Sequence, residues 1–191
     1  KKNDIPFMEV GGKSLLDHPL VKLVEALVNA VSTLHLRLSG GYDDVLHASL
    51  LRESLRQIWT IGKIGPQNRE DKTFLLNLPA AERVLLDEQA FVEAVRNCQS
   101  GGTQQHLETL WSGIHGAANG IDSITPKLLV DFLMQTFGLT AAAAQDPEIR
   151  AGLVIVQRIL SSRMPYPAAG RDGLEQLQTA LHGPDQGEGA A

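Results

Sequence analysis

Leu20, Leu23, Val24, Leu27, Val28, Val31, Leu34 and Leu38 recur at intervals of three and four residues through the stretch Pro19 to Leu38. That spacing gathers side chains on one face of an α-helix. Val21, Ala26, Ala30 and Leu36 widen the face, so this helix is expected to touch two or three others across a core. Lys22, Glu25, Asn29, Thr33 and Arg37 mark its expected wet side. Asp17 or His18 stands where a cap belongs, Pro19 fits an opening turn whose backbone donors are free anyway, and Gly40-Gly41 stops the helix.

The same reading continues along the chain. A second helix runs from Asp43 or Asp44 to about Ile61, with Val45, Leu46, Leu50, Leu51, Leu55, Ile58 and Trp59 inward. Gly62 to Pro66 breaks it, and Gln67 to Asn77 reads as a loop. A third helix opens at Pro79, is re-capped at Asp87 and reaches Asn97, where Ser100-Gly101-Gly102 ends it. Thr103 is the expected cap of a fourth, which peters out among Gly113, Gly116 and Gly120. Thr125-Pro126 starts a fifth with Leu128, Leu129, Phe132, Leu133 and Phe137 inward, stopped by Gly138. Thr140 to Ala144 forms a helical turn, and Asp146-Pro147-Glu148 begins a sixth helix through Arg163. Its centre, Leu153 to Val156, is apolar on every side and is expected deep inside. Met164 to Pro167 forces an extended link, after which Asp172 caps a last helix, Leu174 to Leu181.

These elements predict an all-α fold, an irregular bundle of six to seven helices with neighbours often antiparallel because the links are short. Ile5, Phe7, Met8 and Val10 before Gly11-Gly12 predict a short extended N-terminal arm lying on the bundle. Residues 1–183 read as a single helical domain and 184–191 as a disordered C-terminal tail. No repeat recurs at one period, which argues against a solenoid.

Composition narrows the classes. The chain has 191 residues, a length that suits one domain, and with 5% aromatic residues its core must be built from Leu, Val, Ile and Ala. The net charge of −5 and the spread of basic residues oppose a nucleic-acid interface, which needs concentrated positive charge. The remaining candidate for one is a patch of Arg52, Arg56, Lys63, Arg69 and Lys72 gathered in space. Lys22, Glu25, Asn29 and Arg37 interrupt the most apolar stretch, so no membrane span is expected. The single cysteine, Cys98, excludes an internal disulfide and points to a reducing, cytoplasmic setting, with a secreted effector lacking disulfides as the alternative.

Candidate chemistry is sparse. Cys98 is the one thiol, with His106 and His115 as imaginable bases, but its place near a helix C-terminus disfavours the thiolate. None of the six histidines pairs with another at metal-ligand spacing, so no metal site and no cofactor is expected. The glycines around His115 invite a phosphate cradle or a phospho-accepting histidine, yet the P-loop lysine is missing and no strands frame the run. A close helix–helix approach explains them more simply. Trp59 and Trp111 sit in apolar stripes, as core anchors or as parts of a contact surface.

The expectation is a non-enzymatic protein–protein interaction module, an adaptor, chaperone, secretion-associated factor or effector, with Trp59, Trp111 and His115 as candidate binding residues. Its partner would be another protein, with a homodimer as a further option. One alternative is a sensory bundle holding a small molecule between the first and sixth helices. A second is an enzyme assembled around His106 and His115.

Overall fold

A computed structural model describes residues 14–41, 46–61 and 78–182, the side chains of 46, 59–61 and 78–81 excepted. Nine α-helices lie among the described residues, and no strand. They are α1 (Pro19–Leu38), α2 (Leu46–Ile61), α3 (Leu78–Leu86), α4 (Glu88–Asn97), α5 (Gly101–Gly120), α6 (Pro126–Thr136), α7 (Leu139–Ala142), α8 (Pro147–Arg163) and α9 (Gly170–His182). Two 3-10 turns, Leu15–Asp17 and Ile121–Ser123, precede α1 and α6. The all-α expectation holds, and the count of six to seven helices is corrected to nine. The expected N-terminal arm, the starts at Asp43 and Asp44, the 62–77 loop and the 184–191 tail lie outside the described residues.

The extra helices arise at local breaks. Asp87 accepts hydrogen bonds from the Gln89 and Ala90 amides, so the expected third helix is two, α3 and α4. At the start of α5 the cap is Ser100, whose Oγ accepts from the Thr103 amide, and not Thr103, which is buried. The glycine-dotted run does not peter out: α5 continues through it to Gly120. Gly138, at φ 70°, gives the left-handed turn between α6 and α7. His18 Nδ1 caps α1 by accepting from the Leu20 amide at 3.2 Å, while Thr125 and Asp146 cap α6 and α8. Gly170, at φ 70°, allows α9 to begin ahead of the expected cap at Asp172.

Helix α1 is the hub. It packs against α2, α5, α6, α8 and α9, five helices where two or three were expected. Leu23, Leu27, Val28, Val31 and Leu34 are fully enclosed, each stabilising the fold by roughly 1.5–3 kcal/mol relative to exposure. By length and composition α1 could cross a membrane, but 78% of its apolar window is buried inside the protein. Its apolar face is therefore already covered by protein.

The expected wet side of α1 is only partly wet. Glu25 and Thr33 are buried, and α9 lies across the side that carries Glu25. His182 Nδ1 sits 2.7 Å from Glu25 Oε1, Lys22 Nζ is 3.0 Å from Glu25 Oε2, and Gln178 Nε2 donates to Asn29 Oδ1 at 2.9 Å. Residues rising along α1 meet residues falling along α9, so the two helices run antiparallel.

The sixth expected helix, α8, is corrected as well. Val156 is buried, but Leu153 and Ile155 are half-buried and Val154 is 64% exposed. The helix lies on the surface of the bundle, touching α1 where Gly152 meets Leu20 and His18. Leu38, Leu50, Leu128 and Phe132, all expected inward, are exposed too.

Candidate functional site

Trp111 and His115 are four residues apart on α5, so their side chains share a face. Their rings stack with centroids 3.7 Å apart at 25°, and Phe91 of α4 stacks on Trp111 at 4.5 Å and 15°. The edge of the His115 ring is fixed as well. Its Nε2 lies 2.8 Å from the Leu85 carbonyl in the last turn of α3, where helical carbonyls lack partners within their own helix. An acceptor there requires a proton on Nε2, which the Nε2–H tautomer of the neutral ring supplies and the imidazolium supplies as well. Burial pushes the His115 pKa below its ordinary value, outweighing the Leu85 carbonyl and Glu88, which pull the other way. The arrangement joins α3, α4 and α5, and its ring nitrogen toward α3 is committed to the fold.

The structure brings Trp111 and His115 together and keeps His106 apart. Nine helical residues separate the histidines, about two and a half turns, which places them on opposite sides of α5. His106 lines a cleft of about 370 Å³ with Thr109, Thr136, Phe137 and Leu139. No enzyme site converges around both. Cys98 is half-buried at the C-terminal cap of α4, on the end of the helix dipole that disfavours a thiolate. The side chain of Trp59, on α2, lies outside the described residues, as do Lys63, Arg69 and Lys72. Among the described residues no three His, Cys, Asp or Glu side chains gather in a way that could hold a metal ion.

The glycines near His115 belong to packing. Gly113 faces the Phe137 ring, where an added Cβ would lie 3.0 Å away, and Gly116 faces Phe132 at 3.4 Å. With α5 helical throughout this run, its amides are not presented as a phosphate cradle. Where the first and sixth expected helices cross, Gly152 sits directly on Leu20, and the two backbones leave no gap at that point.

The feature that the sequence reading placed in the core, and the structure places outside, is a set of apolar side chains on α6 and α8. Gln157 Nε2 of α8 donates to Asp131 Oδ1 of α6 at 3.3 Å. Leu128, 56% exposed, and Phe132, 37% exposed, are one turn apart on α6, and Val154, 64% exposed, stands on α8. Asp131 itself is exposed. A signal for this face was present: Leu128, Leu129, Phe132 and Leu133 form two adjacent pairs, and neighbours sit roughly 100° apart around a helix. Leu129, Val130, Leu133, Met134 and Phe137 take the buried arc, leaving Leu128 and Phe132 on the other side.

Comparison of the chain with protein-family models, curated proteins and solved structures finds no match.

Proposed function

We propose that this protein is a non-enzymatic interaction module that docks another protein on the outer face of α6 and α8. The observation that carries the reading is that α6 leaves two large apolar side chains one turn apart, Leu128 and Phe132, exposed, and α8 a third, Val154. Single exposed apolar residues are ordinary on soluble proteins, whereas neighbouring ones on one side of a helix are the usual mark of a contact surface. Covering all three contributes roughly 1–2 kcal/mol per side chain, given that each is already part-buried. That sum is enough for a hot spot but not for a whole interface, which must also offset the loss of rotational and translational freedom. The separation of His106 from His115, and the use of His115 as a carbonyl partner, fit a role without catalysis.

A photo-crosslinking amino acid at position 154 tests the reading in cells that express the protein natively. Discrete adducts with one or a few polypeptides are expected from position 154, and none from position 93, an exposed site on α4, which packs on α3 and α5. Equal or absent adducts at the two positions would overturn it. A second reading, a small molecule held in the cleft beside His106, is favoured by the cleft volume of about 370 Å³, within the range of ligand sites. Native mass spectrometry distinguishes it through a small bound mass.

A further inference from the structure

We infer that the cleft beside His106 takes a small uncharged molecule with an apolar body and a hydroxyl or amide end; this rests on the second reading above, that a small molecule is held there, and names its class. The cleft forms where the corner between α6 and α7 meets α5 and the start of α8. Its polar lining is Gln105, His106 and Thr109 on α5, with Thr136 at the end of α6. Its apolar lining is Phe137, then Leu139 and Ala142 of α7, then Ile149 of α8. Among the described residues, no Asp, Glu, Lys or Arg lines it. A charged ligand would give up water there without gaining an opposite charge, which is costly, whereas a neutral one meets apolar surface and hydrogen-bonding groups together. The volume of about 370 Å³, at the lower end of the range for ligand sites, limits the occupant to metabolite size.

The hydroxyls of Thr109 and Thr136 carry the argument furthest. A threonine inside a helix commonly turns its hydroxyl onto the carbonyl four residues back. Thr33 does so to Asn29 at 2.9 Å, and Thr179 to Glu175 at 3.0 Å. Thr109 and Thr136 are half-buried, yet their hydroxyls make no hydrogen bond among the described residues. Thr136 instead packs its Cγ2 methyl toward Gly113, 3.1 Å from where a Cβ would stand. Neither hydroxyl is sealed from solvent, and both side chains line the same cleft. A hydroxyl both gives and accepts, so a hydroxyl or amide end on the ligand can pair with it in either sense.

The test is NMR of the isotope-labelled protein with three probes of one shape: neutral benzamide, anionic benzoate and cationic benzamidine. Benzamide is expected to shift the backbone amides of residues 105–109 and 136–142, with benzoate and benzamidine binding about tenfold more weakly. Thr109→Val combined with Thr136→Val keeps shape and methyl groups while removing both hydroxyls. It should weaken benzamide about tenfold without lowering the urea midpoint. Ala142→Leu, which fills the cleft from α7, should abolish the shifts. Charged probes binding as tightly as benzamide, or a double valine variant binding like wild type, would overturn the neutral class while leaving the cleft a ligand site. Shifts that persist in Ala142→Leu, or none at residues 105–109 and 136–142 with any probe, would overturn the cleft itself.

Discussion

Gly152→Ala sets two well-defined effects against each other. Position 152 is inside α8, where alanine is favoured over glycine by roughly 1 kcal/mol. Opposing this, a Cβ at that position would lie 2.6 Å from Leu20 Cβ, 2.7 Å from His18 Cε1 and 2.8 Å from Leu20 Cδ2. Carbon atoms in contact prefer about 3.5–4.0 Å, so the helices must separate by the better part of an ångström. Leu20 Cβ is attached directly to the α1 backbone and cannot swing away, and overpacking of this kind costs about 1–3 kcal/mol. Moving His18 also disturbs the α1 cap, which is worth about 1 kcal/mol. The expected net loss is about 1–2 kcal/mol. Gly116→Ala is the matched control, since it carries the same backbone gain on α5 with its nearest contact, Phe132 Cζ, at an acceptable 3.4 Å; it should stabilise by about 0.5–1 kcal/mol. Urea unfolding of both variants, read as midpoints at unchanged slope, measures the difference. A Gly152→Ala midpoint at or above wild type would refute the close α1–α8 crossing.

The remaining predictions concern the buried seam, the histidine and the surface. Glu25→Ala removes the carboxylate shared by Lys22 and His182 and should cost about 1–2 kcal/mol in chemical denaturation, since both partners reach solvent and are not left as buried charges. His115 has a folded pKa below the ordinary 6.5, so the unfolded chain binds the extra proton first as pH falls. Its contribution to stability is present above about pH 6.5 and is lost as pH falls through the folded value. His115→Gln, which cannot titrate, should show a smaller loss of denaturation midpoint between about pH 7.5 and pH 5 than wild type, and an unchanged difference would count against the buried neutral imidazole. L128D and V154D should each leave the thermal midpoint nearly unchanged, within about 0.5 kcal/mol, because those side chains touch little of the core. Leu27→Ala should cost about 2–5 kcal/mol in the same assay.

Much of the fold was legible. The three-and-four spacing from Leu20 to Leu34 belongs to the hub helix, and the capping roles of Asp87, Asp146 and Thr125 follow from oxygen-bearing side chains placed just before helical runs. Less of the candidate site was. Leu128, Phe132 and Val154 read as core because periodicity reports that a face is apolar and not whether another helix covers it. Trp111 and His115 could be placed on one face by their spacing, but Leu85 meets His115 only because α3 ends beside α5.

Local chemistry along the chain, then, determined that this protein is helical, where most helices start, and that Pro19–Leu38 is its central element, since those properties depend on backbone geometry and on neighbours within a turn or two. The tertiary structure alone decided which sides of the helices are covered. It buried Glu25 under α9, turned Val154 and Leu128 outward, and set His106 and His115 on opposite sides of α5 with different neighbours. Burial is a property of the pair of surfaces that meet, and a single helix carries the pattern of only one of them.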